Sequence, residues 1–184
     1  ALTLGLVVIG AASLTGIPRI VVDTDPLHYF HAGDPLRKAN EHVNDIFGGS
    51  VQMNVVVDGD IKDPDVLHRM EEVEEFLDEQ PMVSQVTSIV QPLKRMNQAF
   101  HDDDEAWYRL PDDRKMVGDF LLLYSMGADP SDFDHMVEFD YTKAQIAARV
   151  TSTSSTKQRQ LVRDTQDYIE AHQDPKLFPV VTGF

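Results

Sequence analysis

The chain has 184 residues with 31 acidic against 16 basic side chains, a formal charge of −15, and no cysteine. Such a surface repels phosphate backbones, which argues against nucleic acid as a partner and against tight docking on an anionic membrane. The missing thiols exclude disulfides and thiolate metal sites while leaving the compartment open.

Residues 1–18, ALTLGLVVIGAASLTGIP, carry no charge. A hydrocarbon core about 30 Å thick takes about 20 apolar residues of helix, so this stretch is expected to be the C-terminal part of a transmembrane helix. A signal peptide and a buried core helix are the alternatives. Residues 19–50 then read as a connecting segment with one amphipathic helix. Asp34-Pro35 opens it, since Asp accepts from first-turn amides and Pro there wastes no donor. Ala39, Val43, Ile46 and Phe47 follow at helical spacing, and Gly48-Gly49 ends the run.

After the apolar lead about 165 residues remain, enough for one domain with a proper core, and that domain is expected at 51–184. Val51 to Val57 reads as a central strand, turned out by Asp58-Gly59-Asp60. Asp63-Pro64 launches a second helix with Val66, Met70, Val73 and Leu77 in one stripe and Leu67 and Phe76 beside it. Glu71, Glu72, Glu74, Glu75 and Asp78 are expected on its wet face. Val83 to Val90 reads as a second strand.

Residues 92–135 have the character of a helical insertion. A short helix carries Leu93, Met96, Asn97 and Phe100, and an acidic loop with Trp107 and Tyr108 follows. Arg114 to Met126 forms a further helix with Met116, Val117, Phe120, Leu121 and Tyr124 on its apolar face, and Asp129-Pro130 breaks the chain again. Val137 to Phe139 and Gln145 to Val150 are strand-like, as two arms of a hairpin or one bent edge. A cap-rich turn, 151–155, leads into a helix carrying Leu161, Thr165, Tyr168 and His172, and Phe178 to Thr182 is the last strand.

With the insertion set aside, the order is strand, helix, strand, strand, helix, strand. The expected fold is α+β: a ferredoxin-like split βαβ domain with an antiparallel sheet, both helices on one face, and the first and third strands central.

No group argues for catalysis. Asp23-Thr24-Asp25, ahead of Pro26, reads as a cap or turn. The run from Asp58 to Asp63 lacks the calcium-hand ligands, having Lys62 and Arg69 at the fifth and twelfth positions. His101 with Asp102 to Asp104 could offer hard oxygens to a divalent cation, but four neighbouring side chains on one loop read better as solvated. His28 and His31 have no second pair to complete a zinc site. The 151–156 Ser/Thr run has neither a phosphate cradle nor a nucleophile elbow. No metal or cofactor is expected. Met96, Phe100, Trp107, Met116, Phe120 and Tyr124 are the candidate substrate-binding residues, because thioethers and rings suit adaptable apolar pockets. The same side chains would equally hold the insertion against the sheet.

Ile17-Pro18-Arg19-Ile20, Asp23-Thr24-Asp25-Pro26, Gly33-Asp34-Pro35, and Asn44 with Phe47-Gly48-Gly49 before a Val-rich strand together resemble the resistance-nodulation-division (RND) superfamily of exporters. The branch they resemble holds the mycobacterial large membrane proteins (MMPL), the hopanoid and sterol exporters and the Patched-like proteins. Val117 to Asp140 and Val180-Val181-Thr182-Gly183 are similar to the same branch. The resemblance implies the first extracytoplasmic porter loop of a proton-driven membrane transporter, exporting a sterol, hopanoid, fatty acid or similar lipid-like molecule. It places the chain in the inner (cytoplasmic) membrane through flanking helices, with this domain periplasmic. Its partners would be a hydrophobic small molecule, the second porter loop of the same chain, and periplasmic proteins. The rival readings are a SecD/SecF-like protein-export accessory and a membrane-anchored sensor or interaction domain.

Overall fold

The structure is a computed structural model that describes residues 29–31, 33–127 and 135–182. The uncharged lead 1–18, the Asp23–Asp25 turn, His28 and the Asp129-Pro130 break lie outside the described residues. Among those residues, no helix is long and apolar enough to cross a membrane.

Helix α1 (Pro35–Phe47) starts where Asp34 accepts from the Leu36 amide, and ends on Gly48 in the left-handed region. Strand β1 (Val51–Asp58) follows, then α2 (Pro64–Asp78), capped by Asp63 on the Asp65 amide. Both Asp-Pro pairs therefore start helices as the sequence predicts. Next come β2 (Val83–Thr87), α3 (Val90–Ala99), a single 3-10 turn at Glu105–Trp107, and α4 (Arg114–Gly127). Strand β3 (Lys143–Val150), α5 (Ser155–His172) and the short β4 (Val180–Thr182) complete the order.

The fold is mixed helix and sheet. Its four strands run antiparallel in the order β2-β3-β1-β4, with the first and third central. Strands β1 and β3 pair along their whole length, from Val51 opposite Val150 to Asp58 opposite Lys143. Their inward residues, Met53, Val55 and Val57 against Ala144, Ile146, Ala148 and Val150, are buried. Period-two alternation sends Gln52, Gln145, Ala147 and Arg149 to the opposite face. Helices α2 and α5 cover the inward face and meet where Phe76 stacks on Tyr168, centroids 4.1 Å apart.

Three sequence expectations need correction. The second strand stops at Thr87, and Val90 belongs to α3. A strand cannot bury residues three apart, yet both Val83 and Val86 pack on the core, because the ladder shifts register between Val83 and Gln85 and absorbs one residue. In α2, Leu67, Met70, Val73 and Leu77 are fully buried, and Glu74 lies with them at 5% exposure instead of on the wet face. One turn after Met70 and one before Leu77, it sits on the apolar stripe itself. In α5 the buried stripe is Gln158, Leu161, Thr165 and Ile169. His172 is exposed and Tyr168 half-buried. The Thr165 hydroxyl fits inside because it donates to the Leu161 carbonyl at 2.8 Å.

The Gly48-Gly49 pair has a mechanical role. At Gly48 (φ 72°) a Cβ would stand 2.6 Å from Ser84 Oγ, and at Gly49 (φ 124°) it would run into the Val150 carbonyl. Ser84 Oγ donates to the Gly48 carbonyl, and Arg149 donates to the Phe47 carbonyl at 2.8 Å. These contacts hold the end of α1 against β2 and β3. The apolar side of α1 stays open, with Leu36, Ile46 and Phe47 each more than half exposed.

Candidate functional site

A groove of about 810 Å³ lies over the sheet face that α2 and α5 leave open. Outward-pointing residues of three strands form its floor: Gln52 from β1, Gln85 and Thr87 from β2, and Gln145, Ala147 and Arg149 from β3. Ser88, Gln91 and Pro92, at the start of α3, form one wall. Tyr124 of α4, with His135 and Met136, forms another.

Residues 136–138 reach that wall by pairing back onto β3 as the second arm of a tight hairpin. Val137 bridges Ala144, and the Gln145 amide donates to the Met136 carbonyl at 3.0 Å. The turn between them needs Tyr141 at φ 62°, where Lys62 lies 4.2 Å over its ring.

The lining is rich in amide groups that both donate and accept, together with one guanidinium. Part of this capacity is used internally: Gln52 donates to Asn54 at 2.8 Å, and Gln145 donates to the His135 carbonyl. Gln85 and Thr87 are exposed in the floor. Four glutamines with Pro92, Ala147, Tyr124 and Met136 make a surface for an amphiphilic occupant, whose polar end meets amides and whose apolar part meets carbon.

Gln91 connects this groove to the interior. Its side-chain oxygen accepts from the Tyr108 hydroxyl at 2.6 Å, and its nitrogen donates to Glu74 at 3.4 Å. Ser88 Oγ donates to the other oxygen of Glu74 and accepts from the Val90 amide at 3.0 Å, just ahead of α3. Burial pushes the Glu74 carboxyl up to about 7, against the opposing pull of the Ser88 and Gln91 hydrogen bonds. Neighbouring Glu71 raises it further, and Lys94 offsets part of this. Lys94 is itself held on Glu71 at 2.6 Å. A cleft of about 190 Å³ between α2 and α3 runs past Glu71, Glu74, Glu75 and Asp78, and shares Val86 and Gln91 with the groove.

The six candidate substrate residues do not converge. Tyr124 alone among them lines the groove. Phe120 is buried and stacks on the exposed Phe100, centroids 5.2 Å apart, which fastens α4 to the end of α3. Met96 is half-buried against the core, and Met116 sits at the exposed edge of α4. Trp107 stacks on His101 at 3.7 Å with Arg109 over its other neighbourhood at 4.9 Å, away from the groove lining.

His101 Nδ1 lies 2.7 Å from the Asn97 carbonyl, and Asp104 caps the 3-10 turn through the Ala106 amide. Among the described residues no cluster of three or more His, Cys, Asp or Glu side chains could hold a metal. Gln52, Gln85, Gln91, Gln145 and Arg149 were not candidates from sequence. Their one signal is a run of polar side chains at alternate strand positions, which also describes an ordinary solvated face.

Comparison of the chain with family models, with curated proteins and with solved structures gives no match.

Proposed function

We propose that this chain is the first extracytoplasmic porter domain of a proton-driven exporter of the resistance-nodulation-division type, handling a hydrophobic or lipid-like molecule. The observation that supports the reading is the antiparallel strand order β2-β3-β1-β4 with two helices on one face, which is compatible with a ferredoxin-like split βαβ unit. The helical insertion between β2 and β3 adds to it, since that excursion supplies a wall to the groove on the open face. A second porter loop of the same protein would close over this face, making a cleft between the two. The amide-rich floor suits the polar end of an amphiphilic cargo, and Tyr124 and Met136 suit its apolar part. Residues 1–18 would anchor the domain in the inner membrane and leave it on the periplasmic side.

The sidedness is tested with Lys115→Cys, at a side chain 83% exposed, in a full-length protein otherwise free of cysteine. A membrane-impermeant maleimide added to intact cells with a permeabilised outer membrane should label it. Labelling only after the inner membrane is broken would overturn the assignment.

A further inference from the structure

Among the described residues Glu74 is the single buried carboxylate. It lines the cleft between α2 and α3, and its partners Ser88 and Gln91 line the groove. We propose that Glu74 is a proton-operated latch on the groove: protonated, it ties the Ser88–Gln91 wall to α2, and ionised, it draws water in from the α2–α3 cleft and releases that wall.

The protonated form keeps both partners: Ser88 Oγ, which accepts from the Val90 amide, has its second lone pair for a Glu74 hydroxyl, and Gln91 donates to the other carboxyl oxygen. In the ionised form both partners donate, but a buried negative charge is left with little to balance it. The charged groups facing it are Glu71, Glu75 and Asp78 on its own helix and Lys94 on α3. Lys94 is already engaged by Glu71. Strand β2 carries no charge, and the covered face of β3 presents only Ala144, Ile146, Ala148 and Val150. From α5, Tyr168 lies against Glu72 instead, its hydroxyl 3.5 Å from that carbonyl.

Water is the inexpensive remedy for the charge, and the cleft already leads it to Glu74. The proton leaves by the same route to solvent. Releasing Glu74 frees Ser88 and Gln91 together, and both belong to the groove wall. Gln91 carries the change on to Tyr108 and the 3-10 turn. Glu74 touches no cargo in this scheme and acts as a positioning residue.

The test is hydrogen–deuterium exchange on the folded chain at pH 6 and pH 8, corrected for intrinsic rates. The reporter is the Leu93 amide, bonded to the Ile89 carbonyl at 3.2 Å. A carboxyl near 7 when closed and near 4.5 when open makes opening about tenfold more favourable at pH 8 than at pH 6. Leu93 should therefore lose about tenfold in protection across that interval. It should also be less protected than Val55 and Ile146 at both pH values, and Glu74→Gln should abolish the pH dependence. Equal protection of Leu93 and the β1–β3 amides would overturn the latch, because the seam would then open only with the whole domain. So would a pH dependence that survives in Glu74→Gln. If that variant does not fold, a 13C carboxyl titration of the unaltered chain decides: Glu74 titrating near 7 supports the latch and near 4.5 refutes it. None of these readouts depends on the exporter assignment.

Discussion

Replacing Glu74 by Gln should stabilise the domain in alkali and destabilise it in acid. The folded-state carboxyl sits near 7 against an ordinary 4.5, so the unfolded chain ionises first. Its contribution is therefore fully present below pH 4.5 and is lost as pH rises through 7. At about 1.4 kcal/mol per pH unit, ionising the buried group costs about 3 kcal/mol by pH 8.5. Exposure of 5% leaves little solvent screening to discount that figure. A glutamine keeps an oxygen for Ser88 but turns an amide toward the Gln91 amide, costing about 1 kcal/mol. The net expectation is a gain of about 2 kcal/mol at pH 8.5 and a loss of about 1 kcal/mol at pH 4.5, from the sum of these two effects. Urea unfolding of both proteins at the two pH values, followed by circular dichroism, reads the difference directly. A variant shifted by the same amount at both would refute the burial argument, since only a titrating group can make the effect change sign.

Four other substitutions probe the frame around the groove. Gly49→Ala, at φ 124° and against the Val150 carbonyl, should cost at least about 1–3 kcal/mol, seen as a lower urea midpoint. Asp63→Ala should cost about 0.5–2 kcal/mol by uncapping α2. Asp34→Ala should leave the unfolding midpoint nearly unmoved, because α1 buries little of its apolar side. Phe120→Ala should cost about 3–5 kcal/mol and unpin α3 from α4. Thermal unfolding would check it, and a loss below 1 kcal/mol would mean the insertion is not fastened there.

Sequence signals that act within a few residues were legible. The two Asp-Pro starts, the Gly48-Gly49 stop and the Val55–Val57 run each fix a local conformation, and the structure places α1, α2 and a central β1 there. The order of elements then restricted the sheet to few topologies, and the first and third strands do lie centrally. What was hidden depends on partners far along the chain. Ser84 gives no sign that the ladder slips beside it, because the slip shows only in the pairing of Val83 with Val150 and of Gln85 with Arg149 across the sheet. Glu74 has the composition of a wet-face residue, and only Ser88 and Gln91 make its burial tolerable. In α5 the buried stripe takes in Ile169, while Tyr168 packs its ring on Phe76 of α2, a partner about ninety residues away that local spacing does not reveal. The groove escaped for the same reason. Gln52, Gln85 and Gln145 lie far apart in sequence and come together only through the β2-β3-β1 register.

A photo-crosslinker built into the groove floor in place of Gln85, in the full-length protein in energised cells, tests the proposed role most directly. The exporter account requires covalent capture of a lipid-like small molecule, seen by mass spectrometry, that falls when the proton gradient is collapsed. Capture of protein alone, or of the same lipid at a solvent-facing control position such as Lys115, would contradict it.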